Sequence, residues 1–230
     1  MTPELLDRLR KVDTPTVCNA IEVVQGGRGF DRFTRGTMQH SDPGKIVVGQ
    51  ARTAKISGAN PPIEDDDTIQ TRRVAYYENM AGGDGPTIAV VEDLDYPHAI
   101  AGWWGEVHTA VHKGLGLSGA LTNGVMRDLD VMEPDFPVLA GSIGVSHAFV
   151  HVREVGTPVS IFGLDIAQDE WVHADRHGAL VIPDHVLPDL LDGIETVIRN
   201  EAIIIGPARE PGFDIDALKA AWAKFAKVRT

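Results

Sequence analysis

The sequence predicts an α/β fold with mixed sheets, held in one domain. Three observations carry this. Short apolar runs rich in Val and Ile alternate with amphipathic stretches through the middle of the chain. Glycine turns separate the runs from the stretches that follow them. The 230 residues, 43% of them hydrophobic, suffice for one sizeable core, and no repeat, low-complexity tract or Pro/Ser linker marks a boundary.

The elements follow in order. Residues 3–11 read as a short amphipathic helix with Leu5, Leu6, Leu9 and Val12 on one side. Thr14-Pro15 reads as a helix start, a capping hydroxyl followed by proline at the first helical position. That helix runs to about Val24 and stops at Gly26-Gly27. Residues 45–56 suit strands and 57–68 a loop. Within the loop, Asp65-Asp66-Asp67 reads as a solvated capping run, because consecutive residues converge poorly on one ion. Residues 69–81 form a helix and 82–86 a turn.

Residues 87–91 (Thr-Ile-Ala-Val-Val) are a strand of the buried type. Gly102 and Gly105 open a helix over 106–114, and 117–122 leads into the next strand. Asn123-Gly124 turns the chain, and Arg127-Asp128 begins a further helical segment. Strands follow at 136–139, 148–155, 159–162, 172–174 and 179–182. Pro183-Asp184 starts a helix to about Ile204. Residues 214–227 form a last helix with Ile215, Leu218, Ala221, Trp222 and Phe225 on its apolar face.

Composition excludes some functions. The formal net charge of -12 argues against binding nucleic acid or an anionic membrane surface. No apolar run is long enough to span a bilayer, and the N-terminus lacks a signal-peptide stretch, so the expected location is cytoplasmic. Cys18 is the single cysteine, read as a buried apolar residue of a helix.

Chemistry is expected at two strand-to-helix junctions, since ligands of α/β folds collect at the carboxyl ends of strands. Gly102 and Gly105 would let backbone N–H groups approach an anion. Glu106 falls in the first turn of its helix. Asp128 supplies a hard oxygen ligand, and Arg127 a planar fork for a carboxylate. The residues alone leave a second reading open, in which Asp128 caps a helix and Arg127 is solvated.

A resemblance adds to this. The chain reads Gly105-Glu106, a helix, Gly116-Leu117-Ser118-Gly119, then Thr122-Asn123-Gly124-Val125-Met126-Arg127-Asp128. It resembles the family of the regulator of ribonuclease E activity A and the class II 4-hydroxy-4-methyl-2-oxoglutarate/4-carboxy-4-hydroxy-2-oxoadipate aldolases. Residues 13–20, 49–53, 136–138 and 170–183 are similar too, so the resemblance spans roughly 10–205 of this RraA-like domain.

The resemblance implies a compact swivelling-type α/β/β/α sandwich and a homotrimer or hexamer with active sites between subunits. It implies direct binding of Mg²⁺ or Mn²⁺ by Asp128, with Glu106 and a neighbouring subunit's Glu201 (Glu195 second) holding it through water. Arg127 would bind the carboxylate of a small 2-oxo acid substrate, and Gly102, Trp103, Trp104 and Gly105 would line its site. Catalysis would rest on Arg127, Glu106 and Glu201. The implied activity is a metal-dependent lyase that cleaves or decarboxylates the 2-oxo acid through a pyruvate enolate. A protein-binding regulator of a ribonuclease, or an enzyme acting on another carboxylate, are the alternatives.

Three departures leave the substrate open. Asn123 stands where family members often carry Asp, Val131 where the aldolases often carry an acid, and Trp103-Trp104 where smaller residues are common. His108 and His112, four apart, share a helix face as zinc ligands do, but without a His-Glu-x-x-His motif a substrate-facing or surface role is expected. His147 and His151 read as partly buried structural residues on a strand. His173 and His177, with Asp175, belong to a tight strand connection.

Overall fold

The computed structural model describes residues 1–228. They form two compact units. One comprises Arg32–Pro183; the other combines Met1–Asp31 with the segment from Asp184 onward.

The second of these is helical. Helix α1 (Pro3–Leu9) starts at Thr2, whose hydroxyl accepts the Leu5 N–H at 3.2 Å. Helix α2 (Thr14–Gln25) is capped by Asp13, which accepts the Thr16 N–H at 2.9 Å. The cap therefore falls one residue before the expected Thr14, and Pro15 sits in the first turn, where no N–H is needed. Gly26 ends α2 with φ 69°, a left-handed cap that glycine takes without strain. Cys18 is half-buried on this helix.

In the unit Arg32–Pro183, chain order gives β1 (Gln39–His40), β2 (Val47–Ser57), α3 (Asp66–Met80), β3 (Thr87–Asp93), β4 (Gly102–Trp104), α4 (Glu106–Gly114), β5 (Leu117–Thr122) and β6 (Val125–Met126). Then come β7 (Val138–Ala140), β8 (Ser142–Ile143), β9 (His151–Val155), β10 (Val159–Ile161), β11 (Leu164–Ile166), β12 (Trp171–Asp175) and β13 (Gly178–Ile182). The acidic run does cap: Asp65 accepts the Thr68 N–H at 2.7 Å and opens α3.

The main sheet runs β1-β7-β5-β3-β2-β12-β13, with β9 pairing β2 beyond β12. Strands β2, β3, β5 and β7 are parallel; β1, β9, β12 and β13 join antiparallel. Strand β3 lies between two parallel neighbours and is buried on both faces. Ile88 and Val90 pack with Leu121, Leu139 and Ile161, while Ala89 and Val91 pack with Tyr76, Met80 and Phe136. This two-sided burial is why residues 87–91 read as an unbroken apolar run. A three-stranded parallel sheet, β4-β6-β8, and a β10–β11 hairpin complete the unit. Asp175-Arg176-His177-Gly178 is the tight connection between β12 and β13, with Asp175 accepting the His177 N–H. Strands β1, β8 and β11, each two or three residues long, carry too little periodicity to read in advance.

The helical unit resumes after Pro183. Here the structure corrects the expected long helix: Asp184–Val186 makes a single 3₁₀ turn, and α5 begins only at Leu190 and runs to Ala208. Pro188 explains the delay, because it disfavours helical backbone at Leu187. At Gly193 a β-carbon would lie 3.0 Å from the Ala20 carbonyl, so glycine permits α5 to pack tightly on α2. Helix α6 (Ile215–Phe225) closes the unit. Among the described residues no helix is long and apolar enough to cross a membrane.

Candidate active site

The parallel pair β4 and β6 brings Gly105-Glu106 and Arg127-Asp128 together. The Arg127 N–H donates to the Trp104 carbonyl at 2.8 Å, which fixes the register of the two junctions. Beyond β6 the chain enters one 3₁₀ turn, Leu129–Val131, instead of the helical segment expected after Arg127-Asp128. Asp128 does not cap it. Its backbone is left-handed (φ 58°, ψ 36°), a conformation costing roughly 1 kcal/mol that Asp tolerates better than most residues. This backbone turns the carboxylate back toward β4. Oδ1 accepts from Arg127 Nη1 at 3.1 Å, and Oδ2 lies 3.4 Å from the Glu106 N–H.

The glycines of the turn are required by this carboxylate and its arginine. A β-carbon on Gly105 would sit 2.5 Å from Asp128 Oδ2 and 3.2 Å from Arg127 Cγ. One on Gly102 would sit 3.0 Å from Arg127 Cδ. The glycines thus make room for two protein side chains, a second role beside the anion approach expected from the sequence.

A pocket of about 380 Å³ opens over this junction. Gly102, Trp103, Gly105, His108 and Arg127 line it, joined by Arg73 and Tyr77 of α3, Val107, and His147 and Val150 from the segment before β9. Arg127 Nε and His108 Nδ1 are buried without a hydrogen-bond partner among the described residues. Such groups are costly unless something satisfies them. Glu106 is exposed at the start of α4.

The tryptophans separate. Trp103 lines the pocket. Trp104 is fully buried in the core against Phe136 and His112, so its indole does not serve as the expected substrate contact.

His112 is likewise a core residue, contrary to a surface or substrate-facing role. Its Nδ1 donates to the His108 carbonyl at 2.6 Å, so Nε2 accepts from the Tyr76 hydroxyl at 2.6 Å, and that hydroxyl accepts from Trp103 Nε1 at 3.1 Å. The chain of bonds fixes the indole that lines the pocket. Burial holds both imidazoles neutral, pushing His112 down to about 4 and His108 to about 3, the latter aided by His112, Arg73 and Arg127. Both ring nitrogens of His112 being used, the pair is no zinc site. His147 stands exposed in a loop instead of on a strand, whereas His151 is buried on β9.

Asn123 explains its own departure from the family pattern. Its Oδ1 accepts the Asp93 N–H at 2.7 Å, and its Nδ2 donates to the Asp93 carbonyl at 3.2 Å. An amide both accepts and donates here, which an ionised Asp carboxylate cannot do. The clip joins the ends of β3 and β5 and leaves the Asp93 carboxyl buried, which pushes it up to about 6.

Glu201 lies on α5 in the helical unit and lines a cavity of about 400 Å³ with Asn200, Ile204, Trp222 and Phe225. Glu195, the second choice for the same role, is engaged by Arg8 at 2.8 Å.

Sequence reasoning missed Arg73 and Tyr77. They stand four apart on α3 and so share a face, but nothing in that spacing says which site the face reaches.

A family profile, RraA-like (Aldolase/RraA), matches residues 14–181, most of the chain and both junctions. The chain belongs to the RraA-like family. This family includes both aldolases and ribonuclease E inhibitors. An uncharacterized protein of Methanocaldococcus jannaschii is 24% identical over 159 residues, 68% of this chain and 70% of that protein. The crystal structure of an uncharacterized protein from Pseudomonas syringae pv. tomato superposes with a TM-score of 0.70 at 19% identity, covering 96% of this chain and 98% of the other. That of Streptomyces coelicolor RraAS2, described as an unusual member of the RNase ES inhibitor RraA family, gives 0.65 at 22% identity, covering 91% and 98%. At these identities the two structures establish a shared mixed α/β fold.

Proposed function

We propose that this protein is a divalent-metal-dependent carbon–carbon lyase acting on a small 2-oxo acid. The observation that carries the reading is the junction itself. Asp128 is held in a strained left-handed conformation with its carboxylate beside Arg127, which lines the pocket and whose Nε has no partner among the described residues. Strain retained at a non-glycine residue that contacts the lining Arg127 and Gly105 supports a functional reading of the junction.

The donor set suits Mg²⁺ or Mn²⁺, which take one or two protein carboxylates and otherwise keep water. Asp128 Oδ2 is the direct ligand in this reading, and the Glu106 carboxylate and Glu201 of a neighbouring copy are the groups that hold water around it. Among the described residues no three His, Cys, Asp or Glu side chains gather as a closed cage, and a site with one direct carboxylate needs none. When bound, the ion supplies Lewis acidity for the electron pair that carbon–carbon cleavage leaves on the pyruvate fragment.

The chain's own residues do the rest. Arg127 clamps the 2-oxo acid's carboxylate through the guanidinium N–H groups that Asp128 leaves free. Gly102 and Gly105 keep the floor open to that side chain. The buried Trp103 indole, fixed by Tyr76, gives the pocket an apolar wall. Glu106 carries the proton exchanged with the fragment. The fold's assembly into a trimer or hexamer completes the site in this reading.

The test is direct. With Mg²⁺ or Mn²⁺ and either oxaloacetate or 4-hydroxy-4-methyl-2-oxoglutarate, the protein should release pyruvate, and Asp128→Ala should lower the rate at least ~100-fold. Pyruvate no higher than that of the Asp128→Ala protein would sink the reading.

A further inference from the structure

The apolar wall of the pocket extends beyond Trp103. Tyr77 and His108 line the same space. The Trp103 and His108 rings lie against each other with centroids 4.1 Å apart. Tyr77 runs close to parallel with His108, with 24° between the planes and 6.3 Å between the centroids. Three rings, from β4, α4 and α3, thus adjoin along one side of the pocket. Burial keeps the imidazole neutral, so His108 adds a flat face to the wall and no charge.

The wall is set before any ligand arrives. The buried Tyr76 ring meets Trp103 and Tyr77 edge-on, each with centroids 5.2 Å apart. Its hydroxyl also accepts from Trp103 Nε1 at 3.1 Å. One core residue thereby orients two of the three rings. Faces fixed in this way cost little to occupy, because few rotamers are left to order on binding. The space is also large for the proposed chemistry. A three-carbon 2-oxo acid fragment held at Arg127 fills only part of about 380 Å³, a size that suits larger ligands. Arg73 lines the pocket too, but it is exposed and water screens its charge. Its guanidinium is compatible with a ring face.

We infer that this wall receives an aromatic ring carried beyond the bond to be cleaved, so that the substrate class is the 4-aryl-4-hydroxy-2-oxo acids. This rests on the lyase reading for the role of Arg127, which holds the carboxylate next to the keto group. In 4-hydroxy-4-phenyl-2-oxobutanoate the C3–C4 bond breaks and its electron pair passes to the three-carbon fragment as an enolate. The C4 hydroxyl gives up its proton as its oxygen forms the carbonyl of benzaldehyde. The enolate takes one proton at C3 and becomes pyruvate. Atoms and electrons balance without an oxidant or reductant.

Calorimetric titration of the Mn²⁺-loaded protein tests the wall without turnover. Three acids that lack the C4 hydroxyl serve as probes: 4-phenyl-2-oxobutanoate, 2-oxohexanoate and 2-oxoglutarate. They end in a ring, an alkyl chain and a carboxylate. The wild type should bind the phenyl acid about tenfold more tightly than either of the others. Tyr77→Leu and Trp103→Leu should each bring the phenyl-to-alkyl ratio of affinities to near one. Trp103 is buried and Tyr77 only half-buried, so Tyr77→Leu keeps the test independent of folding. Arg127→Gln should weaken all three acids together. A phenyl acid bound no more tightly than the other two, or a ratio unchanged in Tyr77→Leu, overturns the inference. It leaves the lyase reading standing, provided Arg127→Gln still weakens all three. Failure of the wild type to bind any of the acids overturns both readings.

Discussion

The glycine at 105 is the residue on which the site's geometry turns. Its φ of -163° is extended backbone that any residue adopts, so conformation does not demand glycine there. Contact does: a single methyl group would meet Asp128 Oδ2 at 2.5 Å. In Gly105→Ala the carboxylate must rotate away, while the fold keeps its hydrogen bonds. Mn²⁺ affinity, read by calorimetry, should fall at least ~10-fold, with Tm within a few degrees of the wild type. Full-strength Mn²⁺ binding in this variant would remove Asp128 from the ligand set. Asp128→Gly separates the two roles of that aspartate. Glycine relieves the left-handed strain, so stability should hold or rise by up to ~1 kcal/mol in chemical denaturation even as metal binding is lost. A destabilised Asp128→Gly protein would show that the ion pair with Arg127 outweighs the strain. The resemblance put Gly105 and Arg127-Asp128 in one site, but the contact between them was not legible in the sequence, where the residues alone leave Asp128 equally readable as a cap.

Helix α4 is the element that links core to pocket. Its His112 face enters the aromatic core and its His108 face meets the ligand space. The four-residue spacing of the histidines was readable, and so was their shared face. That the face turns inward was not, because Tyr76 and Trp103, which receive it, come from α3 and β4. The buried neutral imidazoles have a consequence for pH. His112 takes up its proton near pH 6.5 when unfolded and at about 4 when folded, so between those values the unfolded chain binds more protons. Stability is then fully present above pH 6.5 and falls as the pH drops, by about 3 kcal/mol in total for a 2.5-unit displacement. Asp93, pushed up to about 6, acts with the opposite sign and offsets part of the loss between pH 6 and 4. His112→Gln removes one of these titrations. It should lower Tm at pH 7, through lost aromatic packing, yet give a shallower decline from pH 6.5 to 4.5. Curves of Tm against pH that run parallel for the two proteins would contradict the buried neutral state.

At the scale of the molecule, the layered α/β character followed from alternation, and the parallel centre from the unbroken apolar run of β3. The junction chemistry was visible as residue types, and their spacing pointed to a family whose profile covers the same stretch. What the chain's own order does not encode is how copies meet. Glu201 lies in the helical unit, the Asp128 junction in the unit of strands, and the proposed site draws one from each of two copies. That arrangement predicts complementation. Asp128→Ala and Glu201→Gln should each be inactive alone. When the two are unfolded together and reassembled as an equal mixture, a shared site needs an intact Asp128 from one copy and an intact Glu201 from its neighbour. Random mixing in a closed ring gives both at about a quarter of the sites. Pyruvate release should recover toward that fraction, and mixing the folded variants without reassembly should recover less. If each site were built within one chain, every copy in the mixture would still lack one group. Activity that stays at the level of the separate variants after mixed, hexamer- or trimer-sized particles are confirmed by sedimentation would therefore place Glu201 outside the site.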